Sequence, residues 1–412
     1  MGKKKRSKKR IALIILLIIL LALIICAGTM TYKAIKLGGG LQGFVAATMG
    51  HDENTLKNMP PITCLLVGKS QNLTDTIIVA KYNPQTQEAV MMSIPRDTFV
   101  GKDKSTATSM DKINALYQQS PQKLLKAVNN LTGLEIKNYI IIDTKALREL
   151  VDSIGGVYFD VPIDMDYDDT SQNLHIHLKK GYQLLDGDKA EQVVRFRKNN
   201  NFTGYSSEYG SDDYGRMRTQ REFIIAAVKQ TIQAKNILKI GEILDIANRN
   251  VETNMEIAEL KDYLPYIINI DSESIKTAAL PGESEKPAEV WIFVHYKKQT
   301  QKLIGELFLG EPTEEEKEEN SKINIEVLYL ESKKELAEEV MQELEKQGYK
   351  TTKGKVEAAP KTMIINRKQM KEEQTKKISN ILLNSNIQTG EDNGEFNYTI
   401  IIGKDYTKNQ EV

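Results

Sequence analysis

Charged side chains stand at the ends of several predicted strands of this 412-residue sequence. One carboxylate immediately precedes an apolar strand, a guanidinium and a carboxylate follow another strand, and further arginines flank a Gly/Ser/Tyr-rich loop. Ligands of open α/β sheets bind outside the strand ends, so these side chains are placed where they can meet. The residues concerned are Asp75, Arg96, Asp97, Arg195, Arg197, Arg216 and Arg218.

The arginines of this set predict binding of a diphosphate, because a planar guanidinium matches phosphate geometry. A nearby carboxylate would repel phosphate unless a divalent cation bridges them, and Mg²⁺ suits one or two carboxylates plus phosphate oxygens. Arg195 and Arg197 are two residues apart and would face the same way on an extended segment. Gly215 would let the backbone approach the ligand, and Arg216 would open a helix whose N-terminal amides favour an anion.

The same residue types also fit a less specific interpretation. A Pro-Arg-Asp segment is commonly a solvated turn, and paired arginines commonly bridge to surface carboxylates. His175 and His177 alternate with apolar residues, which predicts a strand with both histidines on its solvent-facing side. A metal site is less favoured there, because the sequence offers no evident third ligand at metal spacing. No Ser/His/Asp arrangement, Cys-x-x-Cys pair or phosphate-loop motif is present.

The N-terminus predicts a membrane anchor. Seven Lys and Arg residues lie within residues 1–10, and an apolar, charge-free stretch fills residues 11–30. As a helix this stretch would be about 30 Å long, enough to cross a bilayer. The flanking positive charge predicts that residues 1–10 stay in the cytoplasm and that the chain beyond Thr31 is extracytoplasmic.

Two alternatives to an uncleaved, single-pass anchor fit less well. A cleaved signal peptide would have a shorter apolar core and a small-x-small cleavage site, and residues 26–30 contain no clear site of that kind. A lipoprotein would use Cys26, but the bulky Ile25 precedes it where a small residue is expected.

Composition narrows the possible partners. Lys+Arg and Asp+Glu are both 56, so the net charge is zero, and the part after the basic tail is mildly acidic. The charge therefore creates no overall positive field of the kind that would indicate nucleic acid as a partner. The two cysteines, Cys26 and Cys64, are not expected to pair, so stability does not depend on a disulfide.

Alternating strands and helices predict an α/β domain over residues 62–300, after a connector at residues 31–61. The predicted strands include Ile62–Val67, which Gly68 would end, Thr76–Ala80, Ala89–Ile94 and Tyr139–Ile142. The predicted helices are Pro121–Leu131, Thr144–Ile154, Asp188–Phe196 and Met217–Ala234.

A second, smaller unit is predicted at residues 322–408, after an acidic linker at residues 301–321. Its pattern is β-α-β-α-β. The predicted elements are Ile323–Tyr329, Ser332–Gln347, Thr362–Ile365, Gln369–Leu383 and Tyr398–Ile402. No convergent polar cluster is evident in it, which favours a binding or structural module.

An ordered set of motifs resembles the LytR–CpsA–Psr family. The matching segments are Thr74–Ile77, Ser93–Thr98, Asp111–Ala115, Ile154–Val157, Arg195–Arg197, Asp213–Arg216 and Leu280–Glu283. The resemblance covers about residues 60–300, and residues 322–408 look like the LytR-type C-terminal domain often attached to this family domain. An N-terminal membrane anchor is also the family's usual topology.

The resemblance implies a Mg²⁺-assisted phosphotransferase outside the membrane. Its expected donor is a glycan linked to polyprenyl diphosphate, its acceptor is a hydroxyl of peptidoglycan, and teichoic acid or capsular polysaccharide is the usual cargo. By the matching motifs, Asp75 would hold Mg²⁺, and Arg96 and Asp97 would complete the catalytic set. An apolar pocket would take the lipid tail. The diphosphate oxygens would be bound by Arg96, Arg195, Arg197, Arg216 and Arg218.

Two positions depart from the family pattern. Ser70 stands where an aspartate usually follows the glycine of the first strand, and Thr219 stands where a further arginine is usual. The first departure motivates an alternative function, a non-catalytic envelope scaffold that binds polyprenyl diphosphate or peptidoglycan. A transcription regulator, suggested by the family's historical naming, is disfavoured because no nucleic-acid motif is present.

Overall fold

A computed structural model of the chain describes residues 25–406 except 71–72, 238, 257–259, 269, 271–273, 310–311, 313 and 383–385. The fold is mixed α/β, as predicted. Two compact units divide the described residues. The first contains residues up to 64, 80–91 and 140–277, and the second contains residues 65–79, 92–139 and 278 onwards.

The strands before residue 310 carry mostly β-branched and apolar residues. They are β1 (Ile62–Ser70), β2 (Leu73–Asn83), β3 (Glu88–Ser93), β4 (Asn138–Asp143), β5 (Val157–Val161), β6 (Met165–Asp169), β7 (Leu174–Leu178), β8 (Gly181–Leu185), β9 (Glu252–Thr253), β10 (Ile275–Ala279), β11 (Gly282–Glu285) and β12 (Ile292–His295).

The helices before residue 310 follow a helical stretch over residues 25–36. They are α1 (Gly40–Thr48), α2 (Glu53–Asn58), α3 (Pro121–Thr132), α4 (Thr144–Ser153), α5 (Gly187–Arg195), α6 (Asp213–Thr231), α7 (Ala234–Ile237), α8 (Ile240–Asn250), α9 (Leu264–Ile267) and α10 (Lys297–Ile304).

A six-stranded sheet has the strand order β10-β3-β2-β1-β4-β9. The consecutive residues Ile77, Ile78 and Val79 of β2 are all buried, so both faces of this strand are covered. The sequence predicted that β1 ends at Gly68, but the strand continues to Ser70. A Cβ atom at Gly68 would lie 2.9 Å from the Cβ atom of Thr76, so the glycine permits close approach of a side chain rather than ending the strand.

Two antiparallel hairpins, β5–β8 and β6–β7, belong to the first unit. Along β7, Leu174, Ile176 and Leu178 are buried whereas His175 and His177 are exposed, which confirms the predicted alternation. The buried side chains pack into an apolar core that also receives residues of α5 and α6. This core fixes the two helices on which Arg195, Arg216 and Arg218 lie.

Residues 31–61 were predicted to be a connector, but they contribute helices to the first unit. Leu37, Ala46 and Met59 are buried with Tyr82 and Tyr266 in one apolar cluster. No helix within the residues that the structure describes is long and apolar enough to cross a membrane. Most of the predicted anchor, residues 11–30, lies outside the described residues.

The C-terminal part has more strands than the predicted β-α-β-α-β pattern. Its five-stranded sheet has the order β14-β13-β17-β15-β16. Strands β14 and β16 were missed because both are polar and lie at the sheet edges. Helix α11 replaces part of the predicted solvated linker. The elements are α11 (Glu314–Asn320), β13 (Asn324–Tyr329), α12 (Lys334–Lys346), β14 (Lys350–Lys355), β15 (Met363–Asn366), α13 (Glu372–Ile381), β16 (Asn386–Thr389) and β17 (Tyr398–Ile402).

Candidate active site

Asp75 and Arg96 form an ion pair in the second unit. The Nη1 atom of Arg96 donates to Oδ1 of Asp75 at 2.5 Å. Asp75 is the third residue of β2 rather than the residue before a strand, whereas Arg96 follows the end of β3 as predicted. The two side chains are 29% and 26% exposed, so the pair is accessible to a ligand but largely shielded from water.

The backbone around Arg96 is held by hydrogen bonds on several sides. The hydroxyl of Thr98 donates to the carbonyl oxygen of Pro95 at 2.6 Å, which closes the turn. The amide of Asn114 donates to the carbonyl oxygen of Arg96 at 3.2 Å. The Arg96 guanidinium therefore starts from a fixed backbone, which reduces the entropy lost when it binds a ligand.

Asp97 faces a different partner from Asp75. Its Oδ1 atom accepts from Nζ of Lys112 at 2.9 Å, and its carbonyl oxygen accepts from the amide of Phe293. Lys112 belongs to the Asp111–Ala115 motif of the sequence, so the structure explains why that motif accompanies the Pro-Arg-Asp turn. The lysine balances the charge of Asp97.

Arg197 and Arg216 meet at one carboxylate in the first unit. The Nε atom of Arg197 lies 3.2 Å from Oδ1 of Asp213, and Nη2 of Arg216 lies 3.0 Å from the same oxygen. Arg216 is buried, whereas Arg197 is half exposed. Asp213 was part of a matched motif but was not predicted as a site residue, and it is the group that brings these two arginines together.

Arg195 and Arg218 have other partners. Arg195 ends α5, donates to Oε1 of Glu191 at 2.9 Å and also donates to Gln172 at 3.0 Å. Because Arg195 is helical, the prediction that it faces the same way as Arg197 on an extended segment is wrong. Arg218 donates to Oε1 of Glu222 at 2.8 Å, and this pairing raises the pKa of the guanidinium.

Tyr209 connects Arg218 to the position of the missing family arginine. Its ring lies 4.3 Å from the Arg218 guanidinium carbon, a cation–π contact. Its hydroxyl donates to Oε2 of Glu222 at 2.6 Å and lies 3.1 Å from the hydroxyl of buried Thr219. Thr219 thus supports the tyrosine and offers no charge to a phosphate.

Gly215 permits close packing at the start of α6, and the predicted close approach of a ligand stays a prediction. A Cβ atom at this position would lie 2.3 Å from the carbonyl oxygen of Gly210 and 2.4 Å from the ring of Tyr205. Tyr205 packs edge-on against Phe196 and stacks on Tyr209, with ring centroids 5.6 and 5.3 Å apart. Burial raises the pKa of Tyr205 to about 12, so its hydroxyl is neutral at physiological pH.

The start of α6 also differs from the prediction. The helix begins at Asp213, so Arg216 lies inside its first turn and does not open it. Asp212 precedes the helix with a φ of 48° and makes no side-chain cap. The first turn instead carries the acidic Asp213, whose charge is favourable near the positive end of a helix.

Asp75 fits a Mg²⁺ site in which the substrate phosphate supplies some of the metal ligands. A carboxylate has lone pairs beyond the one that accepts from Arg96, and Mg²⁺ is commonly held by one or two carboxylates plus phosphate oxygens. Among the described residues, no group of three His, Cys, Asp or Glu side chains positioned for a metal includes Asp75. The protein alone therefore supplies few ligands at this position.

The first unit contains an apolar pocket whose lining the sequence did not predict. It lies against α1, the end of α6 and the start of α8, and the charged Lys261 also contributes to it. The apolar lining includes Val45, Met49, Ile232, Ile237, Ile240 and Leu264.

Two family models match the chain. The model of the LytR_cpsA_psr family matches residues 42–308, which is well over half of the sequence. The chain therefore belongs to the LytR–CpsA–Psr family, as its motifs predicted. A model described as LytR cell envelope-related transcriptional attenuator matches residues 322–406.

Named relatives agree with this assignment. The polyisoprenyl-teichoic acid–peptidoglycan teichoic acid transferase TagV of Bacillus subtilis is 30% identical over 276 residues, covering 63% of this chain and 68% of the relative. The corresponding transferase TagU of Oceanobacillus iheyensis is 27% identical over 269 residues, covering 61% and 76%. The crystal structure of B. subtilis TagV gives a TM-score of 0.50 at 27% identity, covering 60% of this chain and 96% of that one.

Replacing Gly215 by alanine should destabilise the first unit. The added methyl group would overlap a backbone carbonyl and the Tyr205 ring, and overpacking of this kind costs about 1–3 kcal/mol. This exceeds the gain of up to about 1 kcal/mol in helix propensity. Gly241→Ala in α8 is the matched control, because nothing lies within 4 Å of its Cβ position. Thermal unfolding should show a lower Tm for Gly215→Ala only, and equal Tm values would contradict the packing role.

Proposed function

We propose that this chain is a membrane-anchored phosphotransferase. It moves a glycopolymer phosphate from a polyprenyl-diphosphate carrier to a hydroxyl of peptidoglycan, with wall teichoic acid or a capsular polysaccharide as cargo. Membership of the family and the transferase names of its relatives support this proposal. The observation that carries it is the shielded ion pair between Asp75 and Arg96.

The reaction is a displacement at phosphorus. The acceptor hydroxyl oxygen forms a bond to the phosphorus next to the glycan, and the bond between that phosphorus and the bridging oxygen breaks. Polyprenyl phosphate leaves with the electron pair. We assign the hydroxyl proton to Asp97, whose carboxylate Lys112 holds at 2.9 Å. Catalysis of this kind depends mainly on positioning and charge stabilisation.

The arginines stabilise the negative charge of the phosphate groups. Arg96 is held by Asp75, and Arg197 and Arg216 are held by Asp213. A guanidinium that is already oriented by a carboxylate needs little reorganisation when charge develops in the transition state. Arg195 and Arg218 are proposed as secondary phosphate contacts, because Glu191 and Glu222 already neutralise them.

Mg²⁺ is the proposed cofactor, and Asp75 is the residue that would hold it. The ion would neutralise phosphate charge that the carboxylate would otherwise repel. The lipid tail is proposed to bind in an apolar pocket, as the resemblance implies. The apolar pocket of the first unit has a volume of only about 30 Å³, so it would have to widen to admit a polyprenyl chain.

Removing a diphosphate-binding arginine should weaken substrate binding. A charge-assisted hydrogen bond contributes about 1.5–3 kcal/mol, which corresponds to tenfold or more in affinity. Arg96→Ala and Arg197→Ala should each weaken binding of a polyprenyl diphosphate by that factor, measured by titration calorimetry. Arg249→Ala is the control, because this exposed arginine donates to the backbone carbonyl of Asp245 in its own helix and, among the described residues, forms no ion pair. Unchanged affinity in both test variants would return these arginines to structural pairing.

Substitution of Asp75 should separate transfer from binding. Asp75→Asn keeps the shape that packs beside Arg96 but removes the negative charge needed to hold a cation. We expect Mg²⁺-dependent transfer to a peptidoglycan acceptor to be abolished while binding of the lipid-linked glycan survives in part. The assay follows radiolabelled glycan into peptidoglycan.

Ser70→Asp is the companion variant for the family departure. Restoring a carboxylate at the end of β1 should make activity respond to lower Mg²⁺ concentrations, without being required for activity. If the parent protein binds lipid-linked glycans but transfers none in Mg²⁺, it is instead a non-catalytic envelope scaffold.

The topology proposed from residues 1–30 is also testable. The basic tail and apolar stretch are proposed to form an uncleaved anchor with the C-terminus outside the cell. Protease added to intact protoplasts should degrade the chain beyond Thr31, while a cytoplasmic marker protein stays intact. Full protection would contradict the topology, and a mature N-terminus near Cys26 would contradict the uncleaved anchor.

A further inference from the structure

Two histidines and two aspartates lie on the outer face of the β6–β7 hairpin. The strand register pairs Asp166 with His177 and Asp168 with His175. The opposite face of the hairpin packs Met165, Ile176 and neighbouring apolar residues into the core. The apolar packing on the opposite face therefore holds in place the backbone that carries the four polar side chains.

The distances between these side chains approach those of a metal centre. Oδ1 of Asp168 lies 2.5 Å from Nδ1 of His175 and 3.4 Å from Nε2 of His177. These ligand atoms all lie within 4.8 Å of one another. Tetrahedral zinc with bonds of about 2.0–2.1 Å separates its ligands by about 3.3 Å, so one distance already fits. Nδ1 of His175 donates to Oδ1 of Asp168 in the metal-free pair, so metal binding would move this proton to Nε2 or to solvent. The pair would then open by under about 1 Å, which exposed side chains achieve by small rotations.

Asp166 favours the tautomer of His177 that has its proton on Nδ1 and a free lone pair on Nε2 for a metal. Its Oδ1 atom lies 2.8 Å from Nδ1 of His177, so that nitrogen carries the proton and donates to the carboxylate. The lone pair of Nε2 is then available on the side facing Asp168. A carboxylate that orients a ligating histidine through its other nitrogen is a common outer-shell feature of metal sites.

The backbone of β6 is supported on its free edge. The amides of Asp166 and Asp168 donate to the side-chain oxygens of Asn199 and Asn200 at 2.7 and 2.6 Å. Asn200 also donates to the carbonyl oxygen of Asp168 at 3.1 Å. This edge is thus held in register by the following loop, which keeps the two aspartates at fixed spacing.

We propose that Asp168, His175 and His177 form a binding site for a divalent transition metal, with Asp166 as a positioning residue. Two imidazoles and one carboxylate favour Zn²⁺ over Mg²⁺ or Ca²⁺, which prefer oxygen ligands. Three protein ligands leave the fourth position to water. The site lies on the hairpin face of the first unit and includes none of the residues proposed for phosphate transfer.

The alternative is a purely structural role, in which the four residues form only cross-strand Asp–His pairs. Such pairs stabilise a hairpin by about 0.2–1 kcal/mol each without any ligand. The side chains are 49–56% exposed at Asp168, His175 and His177, so solvent would weaken the attraction. The two possibilities differ in whether a metal binds, which a direct measurement decides.

The test uses the full-length chain in detergent, produced without a histidine tag and carrying Cys26→Ser, because Cys26 is an exposed thiol. Zinc chloride is titrated by calorimetry, and cobalt chloride is used as a spectroscopic probe of tetrahedral nitrogen and oxygen ligation. We expect one metal ion per chain, visible cobalt absorption and a higher Tm in zinc, because a ligand that binds only the folded state stabilises it.

Variants on the same hairpin assign the ligands. His175→Ala, His177→Ala and Asp168→Asn should each lose most of the affinity, and Asp166→Asn should weaken it by about tenfold. Asp164→Asn is the matched control, since Asp164 bonds Lys179 and the amide of Lys180 instead of a histidine. Circular dichroism monitors folding, and Asp168→Asn keeps side-chain volume if an alanine variant unfolds. Absence of zinc binding in the micromolar range, or binding that survives His175→Ala with His177→Ala, would overturn the proposal.

Discussion

The arrangement of this protein's charged residues depends on one constraint: a guanidinium that is even partly shielded from water needs a counter-charge. Burying an unpaired charge costs several kcal/mol, so each candidate arginine is accompanied by a carboxylate. Asp213 neutralises Arg216, which is buried, and at the same time orients Arg197. Under the proposed function, an approaching phosphate would compete with this carboxylate, which keeps the two arginines in place in the meantime.

The aromatic residues before and after Arg197 in the sequence complete this arrangement. Phe196, Tyr205 and Tyr209 pack in succession, and the close fit of Gly215 beside Tyr205 anchors the beginning of α6. The position of Arg216 is therefore determined by ring packing as well as by charge. The Thr219 departure from the family is accommodated in the same place, because its hydroxyl bonds the Tyr209 hydroxyl.

The sequence predicted features that depend on neighbouring residues and missed those that depend on pairing between distant segments. Apolar runs located β1, β2 and β3 because buried strands carry a strong pattern. Lysine-rich β14 carries no such pattern. The bridging role of Asp213 requires the long loop after Arg197 to close, and the neighbourhood of His175 and Asp168 requires the hairpin register. Neither contact can be predicted from the spacing of neighbouring residues in the sequence.

The edges of the C-terminal sheet affect whether this domain aggregates with other chains. An unpaired strand edge is a template on which another chain can add a strand. One edge here is β14, whose Lys350, Lys353 and Lys355 are exposed, and the other is β16, which has four residues in the described part of the chain. Repeated positive charge and short length both discourage strand addition. Many copies of this domain can therefore be crowded together without being drawn into intermolecular sheets.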